Sequence, residues 1–156
     1  QVAPRAFMVY QSIVEPDRQK ALTMIEKNQF DPLAVVLLEN GEPFSSQIGT
    51  YQVKITSITS NSMTVDLISD QPGFLVVSDI FYPGWNVLVN GKEQTIQRAN
   101  YAFRAVFVPS GQSTVSFAFK PTSIIWGLSV TLITWSIVLT SCIFYLKKRG
   151  QNFSCS

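Results

Sequence analysis

Residues 79–93 read DIFYPGWNVLVNGKE. The run from Trp85 to Val89 is of strand length, and Asn90-Gly91 follows at once. Both corner residues tolerate positive φ, so an Asn-Gly pair between two such runs, WNVLV and KEQTIQ, is a strong hairpin signal. Pro83-Gly84 marks a second turn just ahead of it. The fold turns on whether strand patterning continues on either side of this hairpin.

It does. Downstream lie AFRAVFV (102–108), a Pro109-Ser-Gly-Gln turn, and STVSFAFK (113–120), in which Val115, Phe117 and Phe119 alternate with small or polar residues. Upstream, YQVKITSIT (51–59) sets Tyr51, Val53 and Ile55 against Gln52, Lys54 and Thr56. SMTVDLIS (62–69) puts Met63, Val65 and Leu67 on one face, and GFLVVSD (73–79) is apolar enough for an interior strand. Six or seven strands at this spacing predict an antiparallel sandwich or barrel over residues 50–121.

The segment 1–49 reads differently. RAFMVY (5–10) is a short strand, and RQKALTMIEKN (18–28) is a helix with Ala21, Leu22 and Ile25 on one side. Pro16 suits its first turn, and the acids around it suit a helix N-terminus. FDP stops the helix, LAVVLLE (33–39) is an apolar run of strand length, and ENGEPFSSQIG (39–49) is a loop. This strand–helix–strand segment either adds strands to the sandwich or caps one end.

The chain is 46% hydrophobic and 14% charged, with a mean hydropathy of +0.19, which points to a buried or membrane segment. IIWGLSVTLITWSIVLTSCIFYL (124–146) carries no charge and is long enough to cross a bilayer as a helix. Its Ile, Leu, Val and Phe side chains together favour insertion by about 5 kcal/mol. The expected fold class is therefore mainly β: an antiparallel β-sandwich with a short N-terminal α/β segment, followed by one transmembrane α-helix over 122–146 and a tail over 147–156.

Lys147-Lys148-Arg149 closes the span. Under the positive-inside rule this places the tail in the cytoplasm and residues 1–121 on the outer side of the cell membrane. Of twelve Lys and Arg, these three lie in the tail, leaving nine against ten Asp and Glu before the helix. A net charge of −1 offers no basic face to nucleic acid. Cys142 lies in the span and Cys155 beyond it, so no disulfide framework holds the outer part. The Asn152-Phe-Ser sequon falls on the cytoplasmic side, away from glycosylation. The first residue is not Met and no signal peptide precedes the sandwich, so the expectation is a segment of a longer protein whose N-terminal part is elsewhere.

Histidine is absent, which removes His-based triads, histidine ligands and a histidine general base. The outer part has no thiol and no Gly-rich phosphate loop, and neither a cofactor nor a metal is expected. Asp66, Asp70, Asp79 and Glu93 could pair as acid and base, although solvated strand ends account for them as well. Phe81, Tyr82, Trp85 and Tyr101 would form an apolar shelf for sugar rings, with Arg98 and Arg104 donating to hydroxyls or an anion. The competing reading has Trp85 closing one end of the core while the arginines pair with Asp79 or Glu93. That reading is favoured for Trp85, and Tyr82 and Tyr101 stay open. Tyr82, Trp85, Arg98, Tyr101 and Arg104 are the ligand-contact candidates; none is catalytic. Along the span, Gly127, Thr131, Thr134 and Ser141 recur on one side, as in helices that pack on neighbouring spans. The alternative is that their hydroxyls bond to their own backbone.

SDIFYPGWNVLVNGKEQTIQRANYAFRAVFVPSGQSTVSFAFKP (78–121) resembles the C-terminal outer domain of the YfhO family of bacterial membrane proteins. The features are the D-x-x-Y-P-G-W lead-in to a strand, the N-G-K hairpin, the R-A-N-Y-A-F-R-A stretch and the V-P-x-G turn before a last strand and terminal helix. PRAF (4–7) and FDP with VVLLE (30–39) fit the segment upstream. Asn90 stands where acidic residues are frequent, a change that an Asn-Gly corner absorbs.

The resemblance implies a large polytopic protein similar to the C-type glycosyltransferase superfamily, acting on the outer face with a lipid-linked sugar donor to modify a cell-envelope polymer. The catalytic acids of that superfamily lie in outer loops between early spans, outside this chain, so no catalytic residue carries over. The implied role is accessory or acceptor-contacting. The alternative is a non-catalytic, membrane-tethered carbohydrate-binding or assembly module. The expected partners are the lipid bilayer, the N-terminal transmembrane region of the same protein, and a lipid-linked sugar or envelope glycan.

Overall fold

The computed structural model describes residues 4–26 and 30–152. In chain order the elements are β1 (Ala6–Val9), β2 (Gln11–Val14), α1 (Arg18–Glu26), β3 (Val36–Leu38), β4 (Phe44–Ser45), β5 (Tyr51–Ile58) and β6 (Ser62–Ser69). There follow β7 (Gly73–Val77), β8 (Trp85–Val89), β9 (Lys92–Gln94), β10 (Gln97–Ala99), β11 (Phe103–Val108), β12 (Gly111–Phe119) and α2 (Thr122–Asn152). The chain divides into two compact units, one up to Lys120 and one from Pro121.

The first unit is mainly β, with two sheets packed as a sandwich. One sheet runs β1-β7-β11-β10-β3-β2-β4 and the other β5-β6-β12-β8-β9. Only Tyr10 separates β1 from β2, yet they stand first and sixth in their sheet. Across a flat sheet those positions would lie about 24 Å apart, given a strand spacing of about 4.8 Å. One intervening residue spans at most about 7 Å. The sheet must therefore curl until a single bent strand serves its first and sixth positions, giving a barrel-like layer.

That curl explains two separate cores. Phe7, Val9, Val36, Leu38, Phe74, Val76, Ala99 and Ala105 fill one side of the curled sheet. Ala6, Met8, Tyr10, Leu75, Val77, Val106 and Val108 point the other way, onto Met63, Val65, Leu67, Val87, Val89, Val115 and Phe117 of the second sheet. Strand β7 is buried on both faces, which is why GFLVV is continuously apolar where β6 alternates. Gly73 opens β7 because a Cβ there would sit 2.8 Å from the Val9 carbonyl oxygen.

The expected hairpin forms. Asn90 (φ 52°) and Gly91 (φ 77°) make a two-residue turn joining Val89 to Lys92. The Asn90 side chain also fastens β8 to β12, accepting from the Thr114 N–H at 2.9 Å and donating to Ser113 Oγ at 3.1 Å.

The N-terminal segment supplies four strands of the curled sheet, so residue 49 marks no break in it. Helix α1 connects β2 to β3, the parallel pair. Asp17 caps α1 by accepting from the N–H groups of Gln19 (2.9 Å) and Lys20 (3.2 Å), so Pro16 precedes the cap and does not sit in the first turn. The predicted loop 39–49 contains β4, and neither β2 nor β10 was expected.

In the second unit α2 continues through the basic cluster to Asn152, past the predicted end at residue 146. Its stretch Trp126–Ile143 has a mean hydropathy of 1.6 and none of it is buried. At 1.5 Å per residue those positions cover about 27 Å, close to the hydrocarbon thickness. Thr131 Oγ1 donates to the Gly127 carbonyl and Thr134 Oγ1 to that of Val130, both at 2.9 Å; Ser136 and Thr140 do the same one turn back. Two hydroxyls of the expected stripe are thus satisfied along their own helix.

Candidate binding surface

The five sequence candidates all come from one end of the sandwich, where β7 leaves, β8 begins, β10 turns into β11 and β12 ends. Phe81 N–H donates to the Ala102 carbonyl at 2.7 Å, which ties the 79–84 segment to the β10–β11 turn. Tyr82 and Tyr101 are each one residue from that bond and are 62% and 46% exposed. Lys120 N–H reaches the Gly84 carbonyl at 2.7 Å, which fixes the same segment to the end of β12.

Trp85 is half-buried. Its ring packs 5.5 Å from Phe119 and lies under the Arg104 guanidinium, whose centre is 4.2 Å from the ring centroid. It therefore closes this end of the core. Tyr82 also packs against Phe119, with ring centroids 6.1 Å apart.

Arg104 occupies an inward-facing position of β11, in register with Val106 and Val108, and is 2% exposed. Its Nη2 donates to Asp79 Oδ2 at 2.8 Å. Arg5 grips the same carboxylate through Nε and Nη2, both at 3.1 Å. Nε and Nη1 of Arg104 are buried without a hydrogen-bond partner, and the faces of Trp85 and Phe117 supply the compensation. Burial pulls the guanidinium below its ordinary pKa, and Asp79 opposes that shift.

Arg98 lies directly across from Arg104 in the β10–β11 pair. It turns toward Glu39 (Nε to Oε2, 3.2 Å), which Arg18 also holds at 3.1 Å, and its guanidinium centre sits 4.8 Å from the Phe81 ring centroid. The arginine partners are thus Asp79, as expected, and Glu39 where Glu93 had been considered. Glu39 was not foreseeable, because the β3–β10 pairing that brings it to Arg98 links segments sixty residues apart.

Tyr101 carries the least ordinary backbone of the group. Its φ is +71°, next to Asn100 at +46°. Left-handed conformations are uncommon for bulky residues and persist only where the surroundings fix them. Here Asn100 supplies the fixing: its N–H donates to the Leu37 carbonyl at 2.8 Å, and its Oδ1 accepts the Leu37 N–H at 2.9 Å. The turn thereby projects the Tyr101 ring outward.

A sandwich unit followed directly by a helix long and apolar enough to cross a bilayer defines a membrane protein carrying a folded β module. The family model described as bacterial membrane protein YfhO matches residues 25–131. The chain belongs to the YfhO family, and the match runs from α1 through every strand from β3 onward into α2. Comparison with curated proteins and with solved structures gave no match.

Proposed function

We propose that this chain is the outer-face sandwich and last span of a polytopic glycosyltransferase, which takes sugar from a lipid-linked donor to modify a cell-envelope polymer. The sandwich lies outside the cell and the basic tail inside. Its part in the reaction is to touch the acceptor, with Tyr82 and Tyr101 as the contact rings. The observation that carries this is the pair of exposed tyrosines fixed on either side of one backbone hydrogen bond, one of them held at positive φ. Tyrosine offers an apolar face for the C–H side of a sugar and a hydroxyl for its polar edge. Arg98 and Arg104 serve this surface from behind, by bracing Phe81 and Trp85.

A second reading, a non-catalytic carbohydrate-binding or assembly module, draws on the same cluster. Both of its carboxylates, Asp79 and Glu39, are already gripped by two guanidinium groups each. The test is to replace Tyr82 and Tyr101 by Ala in the full-length protein in its membrane and measure sugar transfer to the envelope polymer. Each lost ring contact of about 1 kcal/mol should lower transfer about fivefold. Undiminished transfer at equal protein levels would refute acceptor contact. Glycan binding by an unmodified protein that never transfers sugar would favour the second reading.

A further inference from the structure

At the opposite end of the sandwich, β6 lies between β5 and β12. The registers set Gln52 and Gln112 directly opposite Ile68, one on each side. Ile68 is 53% exposed, both glutamines are exposed, and neither amide has a hydrogen-bond partner among the described residues. Two depressions meet along this row. One, of about 590 Å³, extends past Tyr51 and Asp70 to Ser110; the other, of about 280 Å³, extends past Lys54 and Asp66. Gln52 and Ile68 line both.

The rim is rigid. Asp70 accepts from Thr50 N–H and Thr50 Oγ1, both at 2.9 Å, and a side chain at Gly49 would collide with the Asp70 carboxylate. Tyr51, 40% exposed, is held by its tilted contact with the buried Tyr10. Lys54 stands opposite Asp66, whose carboxylate also takes the Thr114 hydroxyl at 3.0 Å, and Asp70 leaves the row with one negative charge in excess. The surface therefore offers an apolar side chain flanked by unspent amides, with no excess of positive charge.

We propose that this row is a binding groove for a neutral oligosaccharide. A pyranose presents an apolar C–H face, which Ile68 covers, and a belt of hydroxyls, to which the two amides donate and from which they and Asp70 accept. An anionic polymer would need cations that Lys54 alone does not supply. The larger depression, at about 590 Å³, lies within the range of ordinary small-ligand sites. The site stands on different residues from the tyrosine surface, about 27 Å away along β12.

The test uses the full chain in nanodiscs, with chitotetraose and cellotetraose as probes, read by saturation-transfer NMR and titration. The expected result is binding of at least one probe, weakened about tenfold by Gln52→Ala with Gln112→Ala and about fivefold by Ile68→Ser, at unchanged melting temperature. No binding of either probe at about 10 mM, or equal affinity in the double variant, would overturn the proposal. Either failure leaves the acceptor reading of Tyr82 and Tyr101 standing, because that is read by transfer in the intact protein.

Discussion

Where β12 ends, at Phe119, guanidinium groups turn onto two carboxylates and three aromatic rings. Where it begins, at Gly111, two amides face solvent on either side of an isoleucine. At the first end Arg98 and Arg104 are engaged with carboxylates and rings, while Tyr82 and Tyr101 stand exposed. At the second end the carboxylates of Asp66 and Asp70 are also engaged, but the two glutamine amides are unspent. Conspicuous residue types here coincide with dense side-chain contacts, and plain ones with amides left without partners.

The contrast can be broken by asking which substitutions disturb folding. Asp79→Ala should have the largest effect, a loss of about 3 kcal/mol by chemical denaturation, because it leaves Arg104 buried without its carboxylate. Arg104→Met should cost clearly less, since Asp79 keeps Arg5 and the space beside Trp85 stays filled. If Arg104→Met proves the worse of the two, the guanidinium is doing more than neutralising a buried pair. Next comes Trp85→Ala, which removes a half-buried ring lying between Arg104 and Phe119. A loss of about 2 kcal/mol, seen as a lower melting temperature, is expected. A stable variant that no longer binds acceptor would return Trp85 to the contact surface.

At the other end, Tyr10 donates to or accepts from Ser69 Oγ at 2.9 Å beneath the groove, and Tyr10→Phe should cost about 1 kcal/mol at neutral pH. Burial raises its phenol above the ordinary value of 10.0. Above that pH the unfolded chain gives up the proton first and binds fewer protons than the folded one, so stability falls as pH rises. The phenylalanine variant should lose less stability than the parent over that alkaline range, in melts at stepped pH. The smallest effect belongs to Gln52→Ala and Gln112→Ala, each within about 0.5 kcal/mol of the parent, as befits exposed side chains without partners. A larger loss from either would mean that the amides are structural after all.

Much of this was legible in the chain. Asn90-Gly91 announced its hairpin through the φ angles that it alone makes cheap, and the alternation of Met63, Val65 and Leu67 named their face correctly. The uncharged run from Ile124 needed only its length. Strand β2 was missed because QSIV is brief and its alternation is weak, and β10 because QRA carries no apolar signal and is recruited by its neighbours. The cluster was half legible: residue types suggested Trp85 against the core and Asp79 with an arginine, but Glu39 reaches Arg98 through a sheet order that local patterning does not encode. The row of Gln52, Ile68 and Gln112 gave no signal at all, since it exists only once β5, β6 and β12 are aligned.

The bent strand formed by β1 and β2 has a bearing on when the molecule can come together. Residues 6–9 find their ladder partners at 74–77, and the sheet they begin is not complete until residues 103–108 are available to join it. Newly made chain must keep Phe7, Met8 and Val9 waiting while most of the unit is still being synthesised, and such distant pairings make for slow assembly. For a protein delivered to a membrane, that delay keeps the leading segment pliable until the last strand, and then the helix, has followed it.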